Sequence, residues 1–361
     1  MFRKTISLCL LLAAGMAAAA QSTGRELAQE KKDKAIALMD DGKIEPAIAL
    51  LEESVKLDPD DPTYEYEIGY AKYLAKDYDA VISIMKKLMK HKKSFPHIYQ
   101  LLGNSYDMTG KPDKAIDTYE KGLREFPKAG NLYLELGVMY MGKKDYDKAI
   151  EYFESGVLAA PMHSSNYYWL GKLFCNSNNE LWGLIYGEQF INLERGSKRT
   201  EEMSKLLFLT YKSGITFPSD TSIKIDLASH TINLNMKDLK KDGLKLPYGI
   251  TVYEPTLSIA AAGERNINLA SLHRIRGKFL EIYTGNEKFR KYINPLFDYQ
   301  QQVKTAGHLE AYNYWVLSQG DPEAFDEWRA GNKTAWDDFI NWFKANPLKI
   351  TEDHVFDRSK H

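Results

Sequence analysis

Four glycines, Gly69, Gly103, Gly137 and Gly171, stand 34 residues apart in strict register. A fixed period of this length marks a stacked array. Each unit buries its apolar face only against its neighbours, and at least three units are needed for a continuous core. Other residues recur with the glycines: Ile68, Leu102, Leu136 and Leu170 precede them, and Tyr106 and Tyr140 follow the second and third by three residues. Ala115 and Ala149 come twelve residues after those two glycines, Tyr119 and Phe153 four further on, and Pro127 and Pro161 close the units. Glycine and alanine at these points let two helices approach closely, and the large residues fill the gaps between them. Proline lacks an N–H and cannot continue a helix interior, so it ends the second helix of a pair.

With Tyr99 and Tyr133 at the aromatic position of the first helix, units 96–129 and 130–163 match almost throughout and resemble tetratricopeptide (TPR) repeats. The resemblance implies a mainly α fold, a right-handed α-solenoid of about five helix–turn–helix repeats at 28–61, 62–95, 96–129, 130–163 and 164–197. The first unit keeps Ala47, Leu51 and Pro59 but has Ala35 for glycine. The second keeps Gly69 and Tyr78 but puts Glu65 and Lys72 where apolar residues are expected. The fifth begins with Tyr167, Leu170, Gly171 and Phe174, then loses the pattern at Gly183 and Gly187. Residues 198–216 read as a solvent-capping helix, with Met203, Leu206, Leu207 and Tyr211 at helical spacing behind a threonine start at Thr200.

In TPR proteins the first helices line a concave groove that accepts an extended or helical peptide. The resemblance carries those groove positions to Tyr66, Tyr70, Tyr73, Gln100, Asn104, Asp107, Met108, Leu134, Val138, Met141, Tyr168 and Lys172. This floor is tyrosine-rich and nearly neutral, of the kind found in recognition surfaces. For Tyr66, Tyr70 and Tyr73 a packing role stands beside the binding one, because Glu65 and Lys72 interrupt that unit's apolar stripe. The clamp for a terminal carboxylate seen in some TPR co-chaperones is not matched: Lys32 occupies one of its positions, but Ile36 replaces the asparagine and Gln100 the lysine beside Asn104.

Ahead of the repeats, Arg3 and Lys4, the apolar run from Ile6 to Leu12 and Ala17 to Ala20 read as a cleavable secretory signal over residues 1–20. A lead of 21–27 follows, and the expected location is periplasmic or secreted, in a bacterial cell envelope. Loss of the signal removes Cys9 and leaves Cys175 without an intramolecular partner, so it reads as a small packing residue. With 27% charged residues and a net charge of -1, the chain has no basic excess to favour nucleic acid or an anionic membrane. No other segment approaches the length needed to span a bilayer.

Residues 217–361 form a separate, mainly helical domain of unrecognised family. Ile223, Ile225 and Leu227, then Ile232, Leu234 and Met236, alternate with polar residues as two short strands, a β-hairpin. Helices are expected over Leu269 to Tyr283, over a longer stretch from Tyr292 to Leu317, from Asp321-Pro322 to Gly331, and behind a capping box of Thr334 and Asp337. Trp315, Trp328, Trp336 and Trp342 read as core aromatics rather than as a stacking platform. The eight histidines show no ligand spacing, there is no G-x-S-x-G elbow, and the segment from Gly103 to Lys111 lacks phosphate-loop spacing. No catalytic, metal or cofactor site is expected. The sequence points to an exported, non-catalytic adaptor or scaffold that binds a protein or peptide. An envelope enzyme with its site in 217–361 and a self-assembling structural element, a homo-oligomer, remain the competing classes.

Overall fold

The computed structural model describes residues 23–219, 222–230 and 246–361. The expected signal segment and the strand expected at Ile232, Leu234 and Met236 lie outside the described residues. Contacts divide the chain into two compact units, residues up to Met139 and Tyr140–His361. The fold is mainly α, with repeated helical hairpins and one short antiparallel β-hairpin.

In the first unit, α1 (residues 23–40) pairs with α2 (Ile44–Leu57), α3 (Pro62–Leu74) with α4 (Tyr78–Leu88), and α5 (Pro96–Met108) with α6 (Pro112–Glu125). α7 (Gly130–Gly142) runs across the boundary. The small positions of the repeat are helix contacts. A Cβ on Gly103 would lie 2.1 Å from Tyr119 Cε1, and one on Gly122 would lie 2.6 Å from Leu132 Cδ1 and 2.9 Å from Tyr99 Cβ. Ala35 serves the first unit in the same way, buried with Met39, Ala47, Leu51 and Ala71. The second repeat's polar intrusions are paired: Lys87 Nζ donates to both Glu65 oxygens at 2.7 and 2.8 Å, and Lys72 lies 3.8 Å from Asp77. The turn inside each hairpin repeats as well. Gly42, Lys76, Gly110 and Lys144, spaced by the same period, have φ of 75°, 63°, 71° and 61°, so two lysines occupy a left-handed position that favours glycine.

The second unit continues with α8 (Tyr146–Ala159), α9 (Ser164–Cys175), α10 (Glu180–Leu193) and α11 (Lys198–Gly214). Gly183 and Gly187 do not mark a loss of the repeat. A Cβ on Gly171 would meet Gly187 Cα at 2.9 Å, and one on Gly183 would meet Cys175 Sγ at 2.5 Å, so α9 and α10 pack backbone to backbone. α11 begins one period after α9. Ser197 caps it, its Oγ accepting from Thr200 N at 3.2 Å, three residues before the threonine start read from sequence. Met203, Leu207, Phe208 and Tyr211 are buried, while Leu209 is exposed.

Beyond α11, β1 (Ile215–Ser219) pairs with β2 (Ser222–Ile225), Ile215 opposite Ile225. The hairpin therefore takes the end of the expected capping segment as its first strand. A π-helical turn (Gly249–Tyr253) leads into α12 (Glu254–Ala260), and α13 is Leu269–Gly285. The long helix expected from Tyr292 to Leu317 is two helices, α14 (Pro295–Thr305) and α15 (Leu309–Leu317), because Gly307 turns the chain with φ 80°. α16 (Pro322–Gly331) starts as expected, with Asp321 accepting from Ala324 N. The expected capping box is absent: α17 (Lys333–Ala345) already begins at Lys333, to which Asp337 is paired. The four tryptophans are half-buried in aromatic packing, with Trp315 4.6 Å from Phe343 and Trp328 4.5 Å from Tyr314.

Residues far apart in sequence close the second unit's interior. Glu188, 2% exposed, accepts from Arg276 Nη1 at 2.7 Å, Arg276 Nη2 at 2.6 Å, Gln300 Nε2 at 2.6 Å and Tyr312 OH at 2.8 Å. Arg276 Nε donates to Asn313 Oδ1 at 2.7 Å. This network ties α10 to α13, α14 and α15, so the fifth repeat and the C-terminal helices share one core. The C-terminal segment returns to the repeats, where Arg358 forks onto Glu154 of α8 at 2.6 and 3.0 Å and Phe356 packs 5.3 Å from Tyr186.

Candidate functional site

Of the twelve groove positions, nine fall in the first unit, on α3, α5 and α7, while Met141, Tyr168 and Lys172 fall in the second. In the first unit the positions form a connected face. α3 meets α5 through Tyr66, whose ring lies 5.1 Å from Phe95 and 6.5 Å from His97. α5 meets α7 through Gln100, which donates to Glu135 Oε1 at 2.7 Å and accepts from Asn131 Nδ2 at 2.8 Å. Asn104 Oδ1 accepts from Tyr119 OH at 2.5 Å, so a core tyrosine of α6 fixes its amide. Gln100 and Asn104 are thereby held in place as a floor.

Above that floor the apolar positions are open. Tyr70 is 39% exposed, Met108 54% and Val138 37%, and Asp107 is exposed beside them. Leu134 is half-buried, as are Tyr66 and Tyr73, the latter with its ring 5.4 Å from Tyr78. The three tyrosines therefore divide their roles: Tyr66 leans on the start of α5, Tyr73 on Tyr78 within its own hairpin, and Tyr70 is the most open of the three. Burial pushes the hydroxyls of Tyr66 and Tyr73 up, which keeps both neutral hydrogen-bonding groups.

Two carboxylates join this face. Burial raises Glu135 above the ordinary carboxylate range, hydrogen bonds from Gln100 and Asn104 oppose the rise, and the charge of Asp107 adds to it. Burial raises Glu67 as well, opposed by Lys32. Glu135 was not among the expected groove residues. Its signal was position: it lies one residue past Leu134, within reach of the glutamine of the preceding repeat.

The second unit treats its positions differently. Tyr168 is only 6% exposed. Its hydroxyl donates to Glu202 Oε2 at 2.6 Å, its ring lies 5.1 Å from Phe190, and the Arg199 guanidinium sits over it at 5.0 Å. Lys172 Nζ is held by Glu202 Oε1 at 2.7 Å. Tyr168 is thus a packing residue and Lys172 a paired one, both occupied by the first turns of α11; Met141 is half-buried. Glu202 stands one 34-residue period after Tyr168, which is the sequence signal that α11 occupies the place of a further first helix.

The tetratricopeptide-repeat family model matches residues 32–82 and 101–164. Those residues are tetratricopeptide repeats. The C-terminal region lies outside the match. No curated protein matches the chain. Among solved structures, a thermophilic TPR protein of Thermus thermophilus is 17% identical, with 50% of this chain and 98% of that chain covered at a TM-score of 0.42. MamA from Desulfovibrio magneticus is 20% identical, covering 47% and 97%, at 0.36. YrrB, described as a TPR protein with an unusual peptide-binding site, is 16% identical, covering 47% and 87%, at 0.32. Likeness this distant decides nothing about a ligand.

Cys175, 7% exposed, has its thiol pushed up to about 12 by burial, which leaves it protonated and unreactive at neutral pH. Among the described residues no helix is long and apolar enough to cross a membrane.

Proposed function

We propose that the protein is an exported, non-catalytic adaptor that holds a segment of another polypeptide against the first-unit face of α3, α5 and α7. The observation that carries this reading is the pairing of open apolar side chains, Tyr70, Met108 and Val138, with the fixed amides of Gln100 and Asn104 beneath them. Exposed anchors on a rigid floor supply contact area with little loss of conformational freedom. The uncompensated carboxylates Asp107 and Glu135 favour a segment carrying lysine or arginine. The signal-like residues 1–20 support export, with the mature chain starting near Gln21 and acting in the periplasm or outside the cell.

The test is capture of a partner from the native envelope fraction by the mature protein and by Tyr70→Ala, Met108→Ala and Lys121→Ala. Truncating a central anchor commonly costs about 2 kcal/mol, roughly thirtyfold in affinity. Tyr70→Ala and Met108→Ala are expected to weaken capture by that order, and Lys121→Ala, exposed on α6, to leave it intact. Undiminished capture by both groove variants, with parental melting temperatures, refutes the groove. Recovery of the same chain alone points instead to self-assembly.

A further inference from the structure

Between α13 and α14 the second unit holds a cavity of about 330 Å³, within the size range of small-molecule pockets of about 300–1,000 Å³. Four aromatic residues line it, Tyr283, Phe289, Tyr292 and Phe297, with Tyr283 4.7 Å from Phe297 and 5.4 Å from Phe289, ring centre to ring centre. Asn294 also lines it and is 2% exposed. Its Oδ1 accepts from Leu296 N at 3.2 Å and caps α14, while its Nδ2 has no partner. A buried amide N–H without an acceptor is a cost the fold carries for no gain in stability, so it points to a ligand.

The charges around the cavity narrow the chemistry. Asp298 is engaged by His354 Nε2 at 2.9 Å. Arg290, 71% exposed, has only a loose contact at 3.9 Å with Glu287. Thr284 Oγ1 is committed to Leu280 O at 2.7 Å. Among the groups lining the cavity, the Asn294 amide and the Arg290 guanidinium are donors without a close acceptor, while the carboxylate beside them, Asp298, is turned to His354. A flat apolar body carrying an anionic acceptor satisfies the two open donors at once, and the Asp298–His354 contact keeps the neighbouring carboxylate partnered.

We infer that this cavity binds a small aromatic carboxylate, its ring among Tyr283, Phe289 and Phe297 and its carboxylate accepting from Asn294 Nδ2 and Arg290. This stands independently of the groove. A free aromatic acid and the C-terminal aromatic residue of a polypeptide offer the same chemistry, so the mature protein is titrated calorimetrically with phenylacetate and with N-acetyl-alanyl-phenylalanine. Phenethylamine and benzyl alcohol serve as controls. Saturable binding of one or both acids, at least about tenfold tighter than either control, is the expected result. The tighter of the two acids identifies the source. Asn294→Asp keeps the cap on α14 but replaces the donor with a charge of the ligand's own sign, so it is expected to weaken acid binding at least about tenfold, and a thermal melt accompanies it because the buried carboxylate itself costs stability. Arg290→Glu, at an exposed position, provides a second variant with the same expected direction. No saturable acid binding up to about 10 mM, equal binding of acid and amine, or unchanged acid binding in folded Asn294→Asp and Arg290→Glu each overturns the inference.

Discussion

Replacing Glu188 by leucine removes the acceptor of four buried hydrogen bonds and leaves the Arg276 guanidinium, 6% exposed, with Asn313 as its remaining close acceptor. Breaking a buried ion pair from one side typically costs about 3–5 kcal/mol, because the surviving charge stays desolvated and unpaired. In a unit of this size each kcal/mol lowers the melting temperature by about 2–4 °C, so a drop of about 6–20 °C is expected. Arg276→Leu strands the carboxylate and is expected to cost a similar amount. The double variant removes both charges and is expected to cost clearly less than the two single changes together, because no buried charge is left over. All six tryptophans lie in the second unit, so their fluorescence during thermal or urea unfolding reports this unit without interference from the first. A Glu188→Leu protein that melts within about 2 °C of the parent, or single effects that simply add, refutes the view that this network locks the fifth repeat to the C-terminal helices.

Tyr168→Ala is expected to destabilise the second unit by about 3 kcal/mol, as for other buried aromatics, and a parental melt would place that ring outside the core. Lys144→Gly relieves a left-handed turn at φ 61° and is expected to leave stability unchanged or raise it by up to about 1 kcal/mol; a clear loss in urea midpoint counts against turn strain. Glu135 has a folded pKa above its ordinary 4.5, so its ionisation opposes folding: the penalty is absent below the unfolded value and grows as pH rises through the raised one. Glu135→Gln is therefore expected to gain stability over the parent between about pH 4 and pH 7, and a gain of the opposite pH trend contradicts the buried-carboxylate reading.

The repeat was legible because its constraint is local and periodic: Gly69, Gly103 and Gly171 recur where helices touch, and the same period orders the turns at Gly42, Lys76, Gly110 and Lys144. Gly183 and Gly187 were misread because backbone contact between α9 and α10 replaces the usual interlocking of large and small side chains, leaving no aromatic to mark the register. The cover over Tyr168 was missed because helix spacing alone does not say whether α11 faces solvent or a neighbour. Glu188 and Arg276, 88 residues apart, stand in no local pattern that pairs them, so only the folded chain brings them together. Gly307 carried the break between α14 and α15, but a single glycine inside a helical pattern is often tolerated. The nine first-unit positions that the tetratricopeptide resemblance implied are carried by α3, α5 and α7, which Tyr66 and Gln100 connect.

Site-specific photo-crosslinking tests the central claim most directly. A photoreactive phenylalanine analogue is placed in the protein at Met108, on the open face of α5, and in a parallel sample at Lys121, on α6. Irradiation in the native cells is expected to join a distinct, heterologous polypeptide to the Met108 sample and to leave the Lys121 sample without that product. Equal crosslinking from both sites, or from Lys121 alone, would contradict a partner seated on the first-unit groove.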